Sequence, residues 1–349
     1  MNIDTLQITN ETVSLIAEID EFKGTWKALG NLAPDQLIQL QKVATIESIG
    51  SSTRIEGSKL TNYEVETLLA NLKIQKFETR DEQEVGGYAA AMNIIFQNYK
   101  DIPLTENYIK QLHNILLQYS EKDSWHRGNY KTSTNHVVAL NTEGKLIGVV
   151  FETATPFDTP MRMEKLIAWA RKEIEEKKIH PLLIISFFTV EFLAIHPFQD
   201  GNGRLSRIIT TYLLLTAGYV YVPYCSLEAV IEQNKQGYYL SLRQTQATLK
   251  NEYPNWQPWV TYFLKALQLQ KQKLEIKLER EHLLLAKLPL LSKKIIDLAT
   301  TRGKITIGEI NTILIDTNRN TIKRHLDNLV KSNRLVKNGV SKGVWYTLR

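Results

Sequence analysis

The most constraining feature of the sequence is one apolar segment, HPLLIISFFTVEFLAIHPF, from His180 to Phe198. Its side chains are apolar on almost every face of a helix, so such a helix must be covered on all sides. No apolar run in the chain approaches the roughly 20 residues that a membrane-spanning helix needs. We therefore predict a helix in the middle of a helical bundle, with His196 at its C-terminal end.

The rest of the chain also shows mainly helical periodicity. Pro34 stands at a first-turn position and opens one such pattern, and Thr61 with Glu64 has the spacing of a capping box before the next. Further helical patterns cover residues 82–99, 105–119 and 163–177. Two β-rich runs, 137–140 and 146–151, flank a glycine-containing turn and predict a hairpin. The expected fold class is mainly α.

Composition places the chain among ordinary soluble globular proteins. Its 349 residues, 43% apolar and 23% charged, are enough for two or three domains. The N-terminus lacks the basic-then-apolar order of a signal peptide, so we expect a cytoplasmic protein with no membrane partner. The single cysteine, Cys225, excludes an internal disulfide and cannot build a thiolate metal site by itself.

The positive charge is concentrated at the C-terminal end of the chain. Residues 291–349 contain twelve Lys or Arg against four Asp or Glu, a net +8 within an overall +6. Such a basic region favours an acidic partner such as nucleic acid, although a solvated surface explains it equally well.

A glycine-rich turn follows the apolar segment directly, in DGNGRLSR from Asp200 to Arg207. Its glycines allow successive backbone N–H groups to converge on an anion, and the helix that follows adds a partial positive charge at its N-terminus. Arg204 and Arg207 are three apart and share a side of that helix. Alone, His196 is typically structural and Asp200 a helix cap, but their fixed order favours a phosphate site with a base at its edge.

The complete run HPFQDGNGRLSR, residues 196–207, resembles the Fic-domain signature at every defining position. The resemblance implies an all-helical Fic fold over about residues 60–267. It also implies the transfer of AMP from ATP to a Tyr, Ser or Thr hydroxyl of a target protein, and of the protein itself, with release of pyrophosphate. A homodimer is expected on the same ground.

The resemblance assigns a role to each residue of the signature. His196 would be the general base and Asp200 the Mg²⁺ ligand. The phosphates of ATP would be held by Gly201, Asn202, Gly203, Arg204 and Arg207, with the Asn202 side chain also reaching phosphate. Gly201 stands where a kinase relative has lysine, which favours AMP transfer. The end of a helix tends to raise the pKa of a histidine, whereas a metal and arginines lower it, and the sequence leaves this balance for His196 open.

A second stretch, SSTRIEGS from Ser51 to Ser58, resembles the inhibitory motif of the same family. Ser52, Glu56 and Gly57 stand at its matching positions, and Ser52 and Glu56 are four apart on one helix face. The resemblance implies that Glu56 pairs with Arg207 and prevents the γ-phosphate from docking. The alternative is a surface glutamate at a helix end.

Two further segments match family features by position. The hairpin at about 133–151 corresponds to the flap that pairs with a target segment, and the alternative is a plain surface hairpin. NKQGYYLSLRQTQ resembles the nucleoside-contacting segment, with Tyr238 and Tyr239 as walls and Gln246 where relatives often have Asn. Paired tyrosines are otherwise ordinary core residues.

The last residues resemble a winged helix-turn-helix domain, with three short helical patterns before two β-runs. The expected organisation is an N-terminal helical region, a Fic core, a linker helix and this domain, over residues 1–59, 60–267, 268–290 and 291–349. The third helix would present four side chains to a DNA groove: Arg319, Asn320, Lys323 and Arg324. Many winged helices bind proteins instead.

Two classes of function therefore compete. The sequence favours an autoinhibited protein adenylyltransferase that uses ATP and Mg²⁺. The alternative is a DNA-binding regulator whose Fic domain only senses a nucleotide, although a sensor needs no general base at His196. In a variant of the first hypothesis the same site removes AMP from a modified protein, and Glu56 orients the water that does so.

Overall fold

The computed structural model describes residues 3–28, 34–71, 77–140, 146–286, 288–315, 317–332, 334–340 and 343–348. These form two compact units, one of residues 1–28 and 42–271 and the other of residues 29–41 and 272–349. The helices of the first unit, some of which continue past its bounds, are α1 Asn10–Ala28, α2 Pro34–Ile55, α3 Asn62–Ala70, α4 Arg80–Asn98, α5 Glu106–Leu116, α6 Thr159–Glu176, α7 Pro181–Ile195, α8 Asn202–Thr216, α9 Leu227–Gln233, α10 Lys235–Gln246 and α11 Gln257–Ala286.

The apolar segment forms α7, the central helix of the first unit, as its composition predicts. Thirteen of its 15 residues are buried, and it packs against α6, α8 and α10. The indole Nε1 of Trp259 donates to the Ser186 carbonyl at 2.8 Å, so even this polar group inside the bundle is paired. The prediction of a helix in the middle of a bundle is confirmed.

The local sequence signals also agree with the structure. The capping box of Thr61 and Glu64 is present at the start of α3. Strands β1, Val137–Leu140, and β2, Leu146–Phe151, pair antiparallel as the predicted hairpin, with residues 141–145 of its turn outside the described residues. We did not predict α1, although its buried Leu15, Ile19 and Phe22 stand at the helical spacing i, i+4 and i+7.

The second unit contains α12 Leu290–Arg302, α13 Ile307–Ile313, α14 Arg319–Lys331 and two antiparallel strands, β3 Leu335–Asn338 and β4 Trp345–Leu348. A bridge between Ile305 and Tyr346 adds a third short strand segment to this pair. Its core includes Ile295, Ile310 and Leu326. The order of these elements is the order expected of a winged helix-turn-helix.

One predicted domain boundary falls inside a helix, and another falls inside a compact unit. α11 is one helix of 30 residues, so the boundary between 267 and 268 lies inside it. Residues 1–28 and 42–59 belong to the same compact unit as the predicted Fic core.

Within the described part of the chain, no helix has both the length and the apolar character needed to cross a membrane.

Candidate active site

One cavity of about 640 Å³ in the first unit brings together most of the predicted site residues. Ten of them line it: Glu56, His196, Asp200, Gly201, Asn202, Gly203, Arg204, Tyr238, Tyr239 and Gln246. Both ends of the predicted flap also reach the cavity, through Asn135 and His136 on one side and Phe151 on the other. Gly57 lies in the exposed turn after α2, with a φ of +110°.

His196 caps the C-terminus of α7 and faces the cavity. Its backbone has left-handed geometry, with φ 53° and ψ 60°, and its N–H donates to the Phe192 carbonyl. The ring Nδ1 lies 3.3 Å from the Leu193 carbonyl, which can only accept, so Nε2 keeps its lone pair. Burial lowers the pKa of His196 to about 4, and the nearby Lys131 acts in the same direction. His196 is therefore a neutral base near pH 7, because burial outweighs the opposing effect of the Leu193 carbonyl.

Two stacked, buried rings support the loop that follows His196. Phe198 lies parallel to His113 of α5, with 3.9 Å between ring centroids. The Gly128 N–H donates to His113 Nδ1 at 2.9 Å, so Nε2 carries the proton and donates to the Asp200 carbonyl at 3.0 Å. Burial lowers the pKa of His113 to about 4. The sequence analysis did not predict a role for His113, because a single histidine in an amphipathic helix carries no distinguishing signal.

Asn202 closes this loop with its side chain. Its Oδ1 accepts from the Phe198 N–H at 2.9 Å and its Nδ2 donates to the Phe198 carbonyl at 2.6 Å. Both polar atoms of the Asn202 side chain thus help to close the loop, which leaves the second N–H of Nδ2 for the predicted contact with phosphate. Its backbone N–H, in the first turn of α8, remains available to an anion.

Two side chains beside the hairpin hold the loop from the other side. The buried Lys131 donates from Nζ to Asn135 Oδ1 at 2.7 Å, Thr153 Oγ1 at 2.9 Å and the Ile195 carbonyl at 3.1 Å. Asn135 Nδ2 in turn donates to the Phe198 carbonyl at 2.5 Å. Burial lowers the pKa of Lys131 to about 8. No local motif predicts the contact of Lys131 with the Ile195 carbonyl, because the two residues are 64 apart in the sequence.

Asp200 is surrounded by positive charge. Its Oδ1 accepts from the Gly201 N–H at 2.7 Å, and its Oδ2 lies 2.7 Å from Arg80 Nη2 and 3.4 Å from Arg204 Nη2. Burial alone would raise the pKa of Asp200, but Arg204, the Gly201 N–H and Arg80 together hold it below its usual value. Glu84 of α4 completes the cluster, because its carboxylate pairs with both Arg80 and the buried Arg204. Arg80 and Glu84 lie outside the signature and were not predicted.

The donor set is compatible with one type of metal site. Among the described residues, no group of three or more His, Cys, Asp and Glu side chains could hold a metal ion. Mg²⁺ is commonly bound by one or two carboxylates while substrate phosphates and water supply its other oxygens. Asp200, an ionised carboxylate that lines the cavity, fits this mode.

Glu56 and Arg207 form an ion pair at the start of α8. Arg207 is buried, and its Nη2 lies 2.7 Å from Glu56 Oε1 and donates to the Ser52 carbonyl at 2.9 Å. Its Nε donates to Ser52 Oγ at 2.8 Å. Burial opposes the charged form, but Glu56 raises the pKa of Arg207 above its ordinary value. The Glu56 carboxylate also lies directly against Gly203, so that a methyl group at Gly203 would overlap it.

Tyr238, Tyr239 and Gln246 form the wall of the cavity contributed by α10. The two phenol rings have centroids 5.2 Å apart, and Tyr238 is buried while Tyr239 is partly exposed. Burial raises the pKa of both phenols, so both remain protonated at neutral pH. The arrangement offers aromatic surface to a flat ring system.

The second unit carries the remaining predicted side chains. Arg319, Asn320, Lys323 and Arg324 are all exposed at the N-terminal end of α14. Their spacing places them on adjoining parts of one helix surface. They are separate from the cavity residues, which belong to the first unit.

The sequence around this site also matches a known family. Residues 103–214, which include the signature and lie inside the predicted core, match the sequence model of the Fic/DOC family. The chain contains a Fic domain. A curated relative, protein adenylyltransferase Fic of Drosophila mojavensis, is 26% identical over 218 residues, covering 62% of this chain. The match spans only 40% of that relative's length.

Solved Fic structures have the same fold. A Fic domain containing signaling protein from Bacteroides thetaiotaomicron has 25% identity and a TM-score of 0.60, covering 73% of this chain and 94% of that one. A Fic family protein from Desulfovibrio desulfuricans has 23% identity and a TM-score of 0.64, covering 99% of this chain and 97% of that one. The similarity of fold therefore extends along almost the whole chain, beyond the Fic domain itself.

Proposed function

We propose that this chain is an autoinhibited protein adenylyltransferase, which transfers AMP from ATP to a Tyr, Ser or Thr hydroxyl of a target protein. The observation that carries the proposal is the neutral His196, which faces the same cavity as Asp200 and the buried Arg204. A site that only binds nucleotide has no need of a base fixed in this way. The names of the curated relatives support the same reaction.

The proposed reaction follows from these positions. Nε2 of His196 accepts the proton of the target hydroxyl, whose oxygen attacks the α-phosphorus of ATP. The bond from the α-phosphorus to the bridging oxygen then breaks, and pyrophosphate leaves. Arg204 neutralises the leaving phosphates, and its Nε has no hydrogen-bond partner among the described residues, so it can donate to them. Asp200 would hold Mg²⁺, which when bound supplies further neutralisation of phosphate charge.

Inhibition would come from the pair of Glu56 and Arg207. The Glu56 carboxylate already occupies Arg207 Nη2 and the space against Gly203, where a γ-phosphate would be expected to bind. Two anions cannot share this position, so ATP would bind without its α-phosphate in line for attack. Replacing Glu56 by glycine leaves the buried arginine free for phosphate.

The decisive experiment measures transfer of α-labelled AMP from ATP with Mg²⁺. It compares wild type, Glu56→Gly and the Glu56→Gly, His196→Ala double variant, each with and without cell lysate. We expect strong labelling in Glu56→Gly, weak labelling in wild type and none in the double variant. Equal labelling of wild type and Glu56→Gly would contradict autoinhibition. Absence of label from every sample would favour nucleotide sensing or AMP removal.

The outer parts of the molecule have proposed roles of their own. The flap at 133–151, whose two ends line the cavity, would pair with the target segment beside His196. The second unit would bind DNA through the exposed basic end of α14. We propose a homodimer and a cytoplasmic location on the same family resemblance.

A further inference from the structure

The end of α2 is held by a second ion pair, away from Arg207. Arg54 Nε lies 2.7 Å from Glu232 Oε1, and Arg54 Nη2 lies 2.9 Å from Glu232 Oε2. This two-pronged geometry fixes orientation as well as distance. The same guanidinium donates to the Leu60 carbonyl at 2.9 Å and to Ser51 Oγ at 3.2 Å. Arg54 therefore ties the end of α2, the segment after it and α9 together.

Glu56 depends on this region for its position. The helix ends at Ile55, and Glu56 lies in a turn closed by hydrogen bonds from Glu56 N to the Thr53 carbonyl and from Gly57 N to the Arg54 carbonyl, both 3.1 Å. Because this turn has only short-range bonds of its own, its place over the cavity must be set by side chains. Arg207 supplies one set of these connections, to Ser52 and Glu56, and Arg54, two residues before Glu56, supplies another.

The partner of Arg54 lies on the helix that precedes the α10 wall of the cavity. Glu232 is on α9, and only Asn234 separates α9 from α10, which carries Tyr238 and Tyr239. The Tyr239 hydroxyl also lies 3.5 Å from the Ile55 carbonyl. The end of the inhibitory helix is thus docked on the same wall that would receive the nucleoside.

We infer that Arg54 and Glu232 are positioning residues that hold Glu56 in its inhibitory place against Arg207. The inference rests on the proposed autoinhibition and deepens it, since it names what keeps the inhibitory carboxylate in register. Neither residue lines the cavity, so breaking their pair leaves the groups proposed for catalysis untouched. A carboxylate that is no longer held in place inhibits less well, because ordering it now costs conformational entropy.

The test is the basal rate of AMP transfer in Glu232→Gln. Glutamine keeps the shape of the side chain but removes its charge. A partly exposed ion pair contributes more free energy than an exposed pair and less than a buried one, so we expect the rate to rise roughly three- to tenfold. Arg54→Lys should act in the same direction, because a lysine cannot make the two-pronged contact. Glu232→Gln should add nothing in a Glu56→Gly background, where no inhibitory carboxylate remains to be held.

The matched control is Glu18→Gln. The Glu18 carboxylate has similar exposure, 34% against 29%, and pairs at 3.0 Å with Lys271 of α11, and neither residue lines the cavity. It should leave the basal rate unchanged. A rise of the same size in Glu18→Gln would mean that general loosening, not this pair, relieves inhibition, and would overturn the inference.

Hydrogen exchange separates the failure of the inference from the failure of the proposed function. Amides of residues 51–60 should exchange faster in Glu232→Gln than in wild type and Glu18→Gln. If Glu56→Gly is active while Glu232→Gln keeps the wild-type rate and the wild-type exchange, the positioning role is refuted and the proposed autoinhibition stands. If Glu56→Gly is itself inactive, the proposed autoinhibition fails, and unchanged exchange in Glu232→Gln then overturns the positioning role as well.

Discussion

The buried His113 makes the stability of the first unit depend on pH. Its side chain is fully buried, and its pKa is lowered from 6.5 to about 4, chiefly by burial. The unfolded chain binds a proton on this ring below pH 6.5, whereas the folded chain binds it only below about pH 4. The contribution of His113 to stability is therefore complete above pH 6.5 and is lost as the pH falls toward 4.

The size of the effect follows from the shift. Each unit of displaced pKa corresponds to about 1.4 kcal/mol, but the unfolded ring is already half protonated at pH 6.5, so lowering the pH from 6.5 to 4.5 should cost about 2 kcal/mol of unfolding free energy from His113. His196, with a similarly lowered pKa, acts in the same direction. A variant that cannot titrate at position 113 should therefore lose less stability over this range than wild type.

The assay is urea unfolding of wild type and His113→Gln at pH 7 and at pH 4.5. The expected result is a pH-dependent loss of stability smaller by about 2–3 kcal/mol in the variant, whatever its stability at pH 7. The difference between the two proteins cancels the contributions of other titrating groups. An equal loss in both would refute the reasoning. If His113→Gln does not fold, NMR titration of His113 in wild type decides, and a midpoint near 6.5 would refute it equally.

Two further predictions concern charge. In the absence of nucleotide, Arg80→Gln should bind Mn²⁺ roughly tenfold more tightly than wild type. The substitution removes a positive charge beside Asp200, and that charge repels a divalent ion at this carboxylate. Electron paramagnetic resonance measures free Mn²⁺, Asp200→Asn gives the reference without the carboxylate, and unchanged or weaker binding in Arg80→Gln would contradict the prediction. In the second unit, Lys323→Ala should lower the slope of log affinity for DNA against log salt by about 1, as expected for one lost phosphate contact. Fluorescence anisotropy at several salt concentrations tests this, and an unchanged slope would remove Lys323 from the interface.

Local signals account for most of what could be predicted from the sequence. The capping box at Thr61, the hairpin strands and the buried α7 depend on neighbours within a few residues, and the structure has them where the patterns place them. The signature brought His196 and Arg207 to one site for the same reason, since a turn and one helix carry it.

The parts that could not be predicted are contacts between distant segments. Glu84 pairs with Arg204 across 120 residues of sequence, and Lys131 bonds the Ile195 carbonyl across 64. Neither side chain stands in a motif, and each becomes distinctive only when folding buries it beside the loop.

The left-handed backbone of His196 places stability and catalysis in opposition at a single residue. With φ 53°, this position is one that glycine adopts freely and that other residues occupy at a cost of about 1 kcal/mol. Glycine there would relax the chain, but it would also remove the imidazole that is the proposed base. Variants selected only for thermal stability would therefore tend to lose His196 and with it their activity. A histidine that persists at position 196 among variants then indicates selection for chemistry.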